Sequence, residues 1–211
     1  MSISDLMAGL MLVFLFIAIG FMIEVESKMD DMKEVASSYV DNKANLNEVL
    51  YAEFEDELQK WDATITKDNR VIFNSPEVLF KVNDSTISEA FKTVLDEFFP
   101  RYISILTSDD YIDQINEVRV EGHTSDTWAK NSSQKDIYLN NMKLSQNRAF
   151  EVLSYCYTIE NDLVVQNREW LEKKFRANGM AYSKLKDAKK ARRVEFTIQM
   201  KSEDKVYKIL E

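Results

Sequence analysis

From Ile3 to Ile23 the chain is apolar, and Asp5 is its one ionisable side chain. A hydrocarbon core of about 30 Å needs roughly 20 apolar residues at helical rise, so residues 1–24 are predicted to form a membrane-spanning helix. The pattern changes at Glu24. Residues 25–61 are charged and contain neither glycine nor proline. Within them Val25, Met29, Met32, Ala36 and Tyr39 recur at three- and four-residue steps. After a gap, Leu46, Leu50, Phe54, Leu58 and Trp61 resume the spacing. This predicts a helical connector of roughly 55 Å, with a narrow, coiled-coil-like apolar stripe that pairs helices. Pairing between two copies suits its first half. The break near Lys43 leaves open that its second half folds back on its own domain.

The remainder, residues 62–211, reads as one soluble domain. Arg70–Phe73 and Val78–Val82 have strand character, separated by Asn74-Ser75-Pro76. Ser85 or Ser88 is placed to cap a helix running to about Phe99, with Phe91, Val94, Leu95 and Phe98 on its apolar face. Val118-Arg119-Val120-Glu121 alternates as a strand and enters Gly122-His123-Thr124. Asn141–Tyr157 forms a second helix that buries Leu144, Ala149, Val152, Leu153 and Cys156. A last strand, Val194–Met200, places Val194, Phe196, Ile198 and Met200 on one face. Strands alternating with helices imply a mixed α/β sandwich.

Composition narrows the function. A net charge of −9 over 211 residues excludes a nucleic-acid surface, which needs a basic footprint. Cys156 is the one cysteine, so no intrachain disulfide forms, and it reads as a buried small hydrophobe. His123 is likewise the one histidine, with no Cys/His cluster around it, which argues against zinc or acid–base chemistry. Hydrogen bonding within its turn is the expected role. The basic run Lys184–Arg193 reads as a solvated loop before the last strand.

Asp5 has two readings. Ser2-Ile3-Ser4-Asp5 fits a helix capping box, with the carboxylate on amides at an interfacial helix start. An acid within a membrane segment also marks an ion or proton path. A cleaved signal peptide fits poorly, because no basic region precedes the apolar run and no small-x-small site follows Ile23.

The string Ser4-Asp5-Leu6-Met7-Ala8-Gly9-Leu10-Met11-Leu12-Val13-Phe14-Leu15 resembles the start of the MotB-type stator subunits. In that family the Asp accepts the proton, or another ion, that drives the motor. The resemblance thus implies Asp5 as proton carrier, an N-terminus on the cytoplasmic side and a C-terminal domain in the periplasm of a bacterial inner membrane. It also implies that residues 25–61 can act as a plug in the inactive stator. The implied partners are a second copy of this chain and a polytopic MotA-like subunit, five of which surround the pair.

A second resemblance covers residues 72–200. Val118-Arg119-Val120-Glu121-Gly122-His123-Thr124, Asn141-x-x-Leu144-Ser145-x-x-Arg148-Ala149 and Arg192-Arg193-Val194-Glu195-Phe196 are similar to the ordered motifs of OmpA-like peptidoglycan-binding domains. The fold implied is a βαβαβ-type sandwich with its helices on one face. The site implied is one of recognition, with no catalytic residue, cofactor or metal. Arg148 matches the family's ligand-binding arginine, whose planar fork suits a stem-peptide carboxylate. Asn141, Leu144 and Asn140 accompany it on the same helix. The family's usual Asp after Gly-His-Thr is Ser125 here, so Asp126 serves only if the loop shifts by one position.

Together these features imply the B subunit of a peptidoglycan-anchored, proton-driven motor. A passive wall tether would need neither Asp5 nor the small Ala8 and Gly9, which suit close helix packing. Four residues ahead of Asp5 and a long acidic connector resemble the B subunits of Zorya anti-phage systems more than flagellar-type stators.

Overall fold

The computed structural model describes residues 3–74, 79–80, 84–126, 128, 132–183 and 192–201. Helix α1 is continuous from Ile3 to Leu58. The most apolar window of this long helix has a mean hydropathy of 2.8 and none of it is buried, which fits a segment long and apolar enough to cross a membrane. The large side chains from Leu6 to Ile17 and from Phe21 to Ile23 are all exposed.

The chain divides within α1: residues to Asp41 fall in one unit, and Asn42–Lys201 forms the compact second unit. That boundary lies well ahead of Asp62, where the sequence pattern alone opens the domain. The reason is burial, because Leu46, Leu50 and Phe54 are wholly inaccessible inside the second unit. Each such side chain contributes about 1.5–3 kcal/mol when buried. Polar bonds fix this part of α1 as well. Asn47 Nδ2 donates to the Thr66 carbonyl at 2.7 Å, and Asn69 Nδ2 donates to the Lys43 carbonyl at 2.9 Å. Arg101 forks between Glu53 and Glu57 at 2.7 and 3.0 Å, with its guanidinium 4.9 Å from the centre of the Phe54 ring.

Five strands form one sheet: β1 (Ala63–Ile65), β2 (Arg70–Phe73), β3 (Ile115–His123), β4 (Phe175–Gly179) and β5 (Arg193–Met200). Their spatial order is β1-β2-β5-β3-β4, antiparallel throughout except for the parallel β3–β4 pair. Helices α2 (Glu89–Leu106) and α3 (Gln134–Thr158) are the long ones, and α4 (Asp162–Gln166) and α5 (Arg168–Lys174) are short. A parallel pair needs a long crossover, and α3, α4 and α5 supply it between β3 and β4. The expected mixed α/β architecture is present, with β1, β4 and the two short helices added to the elements read from the pattern.

Ser88 caps α2, its hydroxyl accepting from the Phe91 amide at 3.0 Å. The helix continues past Phe99 and through Pro100 to Leu106. Buried Phe98, Phe99, Tyr102, Ile103 and Leu106 hold that extension. Phe98 is the hub of the core. Its ring centre lies 5.1 Å from Phe54, 5.3 Å from Phe73, 4.9 Å from Tyr102 and 5.2 Å from Phe196. It therefore joins α1, α2, β2 and β5. Ser133 caps α3, which starts a turn and more before Asn141. The proposed strand Val78–Val82 lies largely outside the described residues; Phe80 within it makes a single bridge to Ile87.

Two glycines let α3 lie directly on the β3–β4 pair. A Cβ on Gly122 would sit 2.2 Å from the Ser145 carbonyl oxygen, and one on Gly179 would sit 2.7 Å from the Gln146 amide nitrogen. Both obstacles are helix backbone, which cannot swing aside. Gly122→Ala is therefore expected to destabilise the domain by about 1–3 kcal/mol, the usual cost of overpacking. Urea unfolding of the purified chain checks this, with a lower midpoint expected than in wild type.

A candidate ligand site around Arg148

The close approach of α3 sets a polar stripe against the end of the sheet. Asn141, Ser145 and Arg148 recur at helical spacing, and all three are buried although polar. Ser145 Oγ donates to the Met142 carbonyl at 2.9 Å and accepts from the Ala181 amide at 3.0 Å. The Ala181 carbonyl in turn accepts from the Thr124 amide at 2.8 Å. The Gly-His-Thr turn, the end of β4 and α3 are thereby tied together.

Arg148 is 5 % exposed. Its Nε donates to the Asp84 carbonyl at 3.0 Å, and its guanidinium lies 4.8 Å from the centre of the Phe80 ring. Such a cation–π contact contributes about 0.5–2 kcal/mol. Asp84 is held by its own turn, its carboxylate accepting from the Ser85 amide at 2.7 Å and the Thr86 hydroxyl at 2.9 Å. Among the described residues, Arg148 makes no ion pair with a carboxylate. Burial, with the charge of Arg192 added, lowers its pKa to about 10, and the Asp84 carboxylate only partly opposes this. Arg148 is thus a charged fork held in a partly dry place, not the surface ion pair that an isolated arginine suggests. Such a group is electrostatically suited to an incoming anion.

The other sequence-derived positions divide around it. Asn141 spends its amide nitrogen on the Ile137 carbonyl at 3.0 Å, within its own helix. Leu144 and Asn140 are half-buried on α3. Asp126 is exposed in the bend after β3, and no interaction joins it to Arg148 among the described residues. The basic run falls almost wholly outside the described residues, apart from Arg192 and Arg193. Asp5 is in the first turns of α1, and its side chain lies outside what is described. Phe80 and Asp84 are the residues that pattern reading missed. The Asp84-Ser85-Thr86 turn was the local signal available for them.

His123 is also buried although polar. It ends β3, buried, with Nε2 3.4 Å from Glu195 Oε1 and 3.7 Å from Glu121 Oε2.

No family model matches the sequence. The chain is 40% identical over 218 aligned residues to the Zorya protein ZorB of Escherichia coli, an alignment covering 100% of this chain and 91% of the relative. Among solved structures, the cell wall anchor of the T6SS from Pseudomonas aeruginosa is 20% identical with a TM-score of 0.46. That match covers 72% of this chain and 97% of the other. The periplasmic domain of Helicobacter pylori MotB is 17% identical with a TM-score of 0.44, covering 70% and 95%. Full-length identity to a curated relative decides the assignment: the chain belongs to the ZorB family of Zorya proteins.

Proposed function

We propose that this chain is the wall-anchoring B subunit of a proton-driven inner-membrane motor acting in anti-phage defence. Its apolar helix crosses the membrane with the N-terminus cytoplasmic, and residues 62–211, joined by the packed end of α1, bind peptidoglycan in the periplasm. The observation that carries the wall-binding half is Arg148, a buried guanidinium on a fixed helix with no carboxylate ion pair among the described residues. A stem-peptide carboxylate would supply that missing charge and accept two parallel hydrogen bonds from the fork. Asn141 and Leu144 share the helix with Arg148, and half-buried Asn140 and exposed Asp126 are the polar groups assigned to the ligand's remaining atoms.

The motor half rests on Asp5. One helix bearing one carboxylate cannot seal a pathway by itself, since its other side would face lipid. Two copies of α1 enclosed by five polytopic MotA-like subunits solve that problem. Residues 25–41 are then available to pair the copies or to plug the path. Each proton crossing the membrane supplies about 2.3 kcal/mol per 100 mV.

Arg148→Ala is expected to abolish retention of the purified chain by cell-wall sacculi. Loss of a charged bidentate partner typically costs a few kcal/mol of binding. Because Arg148 is buried, Arg148→Lys is the companion variant: it keeps the charge, loses the fork and should also bind at least tenfold more weakly. Unchanged retention of both variants would remove Arg148 from the site.

Asp5→Asn keeps the side chain's shape but cannot cycle a proton. The expected result is a normally assembled complex that no longer lowers phage plating efficiency. Full protection by this variant would reduce Asp5 to a helix cap and the protein to a passive anchor. Native mass measurement of the complex is expected to show two copies of this chain, and a functional complex with one copy would exclude the proposed arrangement.

A further inference from the structure

The two antiparallel strands β3 and β5 bring three ligating side chains to one place. Glu121 is paired directly with Glu195, and His123 is opposite Arg193 two residues further along. Alternation puts these residues on the sheet face away from Val120, Val194 and Phe196, which fill the core. Glu121, His123 and Glu195 are nevertheless only 2%, 1% and 1% exposed. One donor atom from each lies within 4.8 Å of the others.

This is more than an acidic cluster. Among the described residues, His123 Nε2 and Glu195 Oε2 are buried without a hydrogen-bond partner, an arrangement that is costly in a finished interior. Glu195 Oε1 accepts from Arg193 Nε at 2.5 Å, which fixes the carboxylate and leaves the buried Oε2 without a hydrogen bond. A hydrogen bond of this kind orients a ligating carboxylate from outside the coordination sphere.

We propose that Glu121, His123 and Glu195 form a binding site for a zinc-type divalent cation that clamps the ends of β3 and β5. Zinc bonds of about 2.0–2.1 Å at tetrahedral angles place neighbouring donors roughly 3.3 Å apart. The His123 Nε2 to Glu121 Oε2 separation, 3.7 Å, is close to that spacing, and the Glu195 carboxylate comes within 3.4 Å of His123 Nε2 through Oε1, the oxygen that Arg193 holds. One imidazole with two carboxylates favours zinc or a similar first-row dication over calcium or magnesium, which prefer oxygen alone. The fourth position is left for water. Arg70 is the competitor. Its Nη1 is 3.6 Å from Glu195 Oε2, and its side chain is 33% exposed, so it can turn to solvent when the metal takes that oxygen. Its departure also relieves the repulsion a dication would meet.

The test uses the purified full chain in detergent, stripped with EDTA and dialysed against zinc chloride or cobalt chloride. Elemental analysis is expected to find one metal per chain. The cobalt form should show the visible absorption of a low-coordinate nitrogen–oxygen site, and saturating zinc should raise the unfolding midpoint. His123→Gln and Glu195→Gln should each lower zinc affinity by at least about 100-fold, the loss expected on removing a ligand when even outer partners cost 10–100-fold. Should either variant fail to fold, Arg70→Gln still decides the point, because removing the competitor should tighten zinc binding about tenfold. The proposal is overturned if the wild-type chain takes up neither metal. It is equally overturned if both ligand variants retain zinc at wild-type affinity, or if Arg70→Gln leaves the affinity unchanged.

Discussion

The contact on which the α/β unit depends is the seating of α3 directly on the backbone of β3 and β4. It is possible only because Gly122 and Gly179 carry no Cβ there. From that contact follow the buried stripe of Asn141, Ser145 and Arg148, the bonds through Ala181 to the Gly-His-Thr turn, and the depth at which the guanidinium sits. Moving the helix outward by a methyl group would loosen all of these together. Helix packing and the burial of this polar stripe are therefore one constraint in this protein.

The same domain reaches back along the chain for its core. Phe98 packs against Phe54 as closely as against Phe73 and Phe196, so the last turns of α1 are part of the aromatic interior. Arg101 clasps that segment from outside through Glu53 and Glu57. One helix thus carries an exposed apolar run at its start and core side chains of the second unit at its end.

The charge arrangement separates two kinds of buried polar group. Arg148 keeps its charge against a ring face and a carbonyl, without a carboxylate ion pair among the described residues, which is a poor way to stabilise a fold. Glu195 is instead tied to Arg193, its neighbour but one on the central strand β5.

Much of this was legible in the residues themselves. Uninterrupted apolar character and helical periodicity determined α1. Alternation of apolar and polar residues determined the core strands β3 and β5, and the resemblance to OmpA-like motifs is what singled out Arg148. Where periodicity was weak the sequence was silent: β4 reads Phe-Arg-Ala-Asn-Gly and becomes a strand only because β3 offers it a parallel edge. The end of the connector was ambiguous for a related reason. One apolar stripe at Leu46, Leu50 and Phe54 serves equally for a partner helix or for its own domain, and only the shape of the aromatic core decided between them. Likewise, Glu121, His123 and Glu195 are unremarkable in the chain. Strand register, which no local pattern encodes across some seventy intervening residues, is what brings the last of them to the other two.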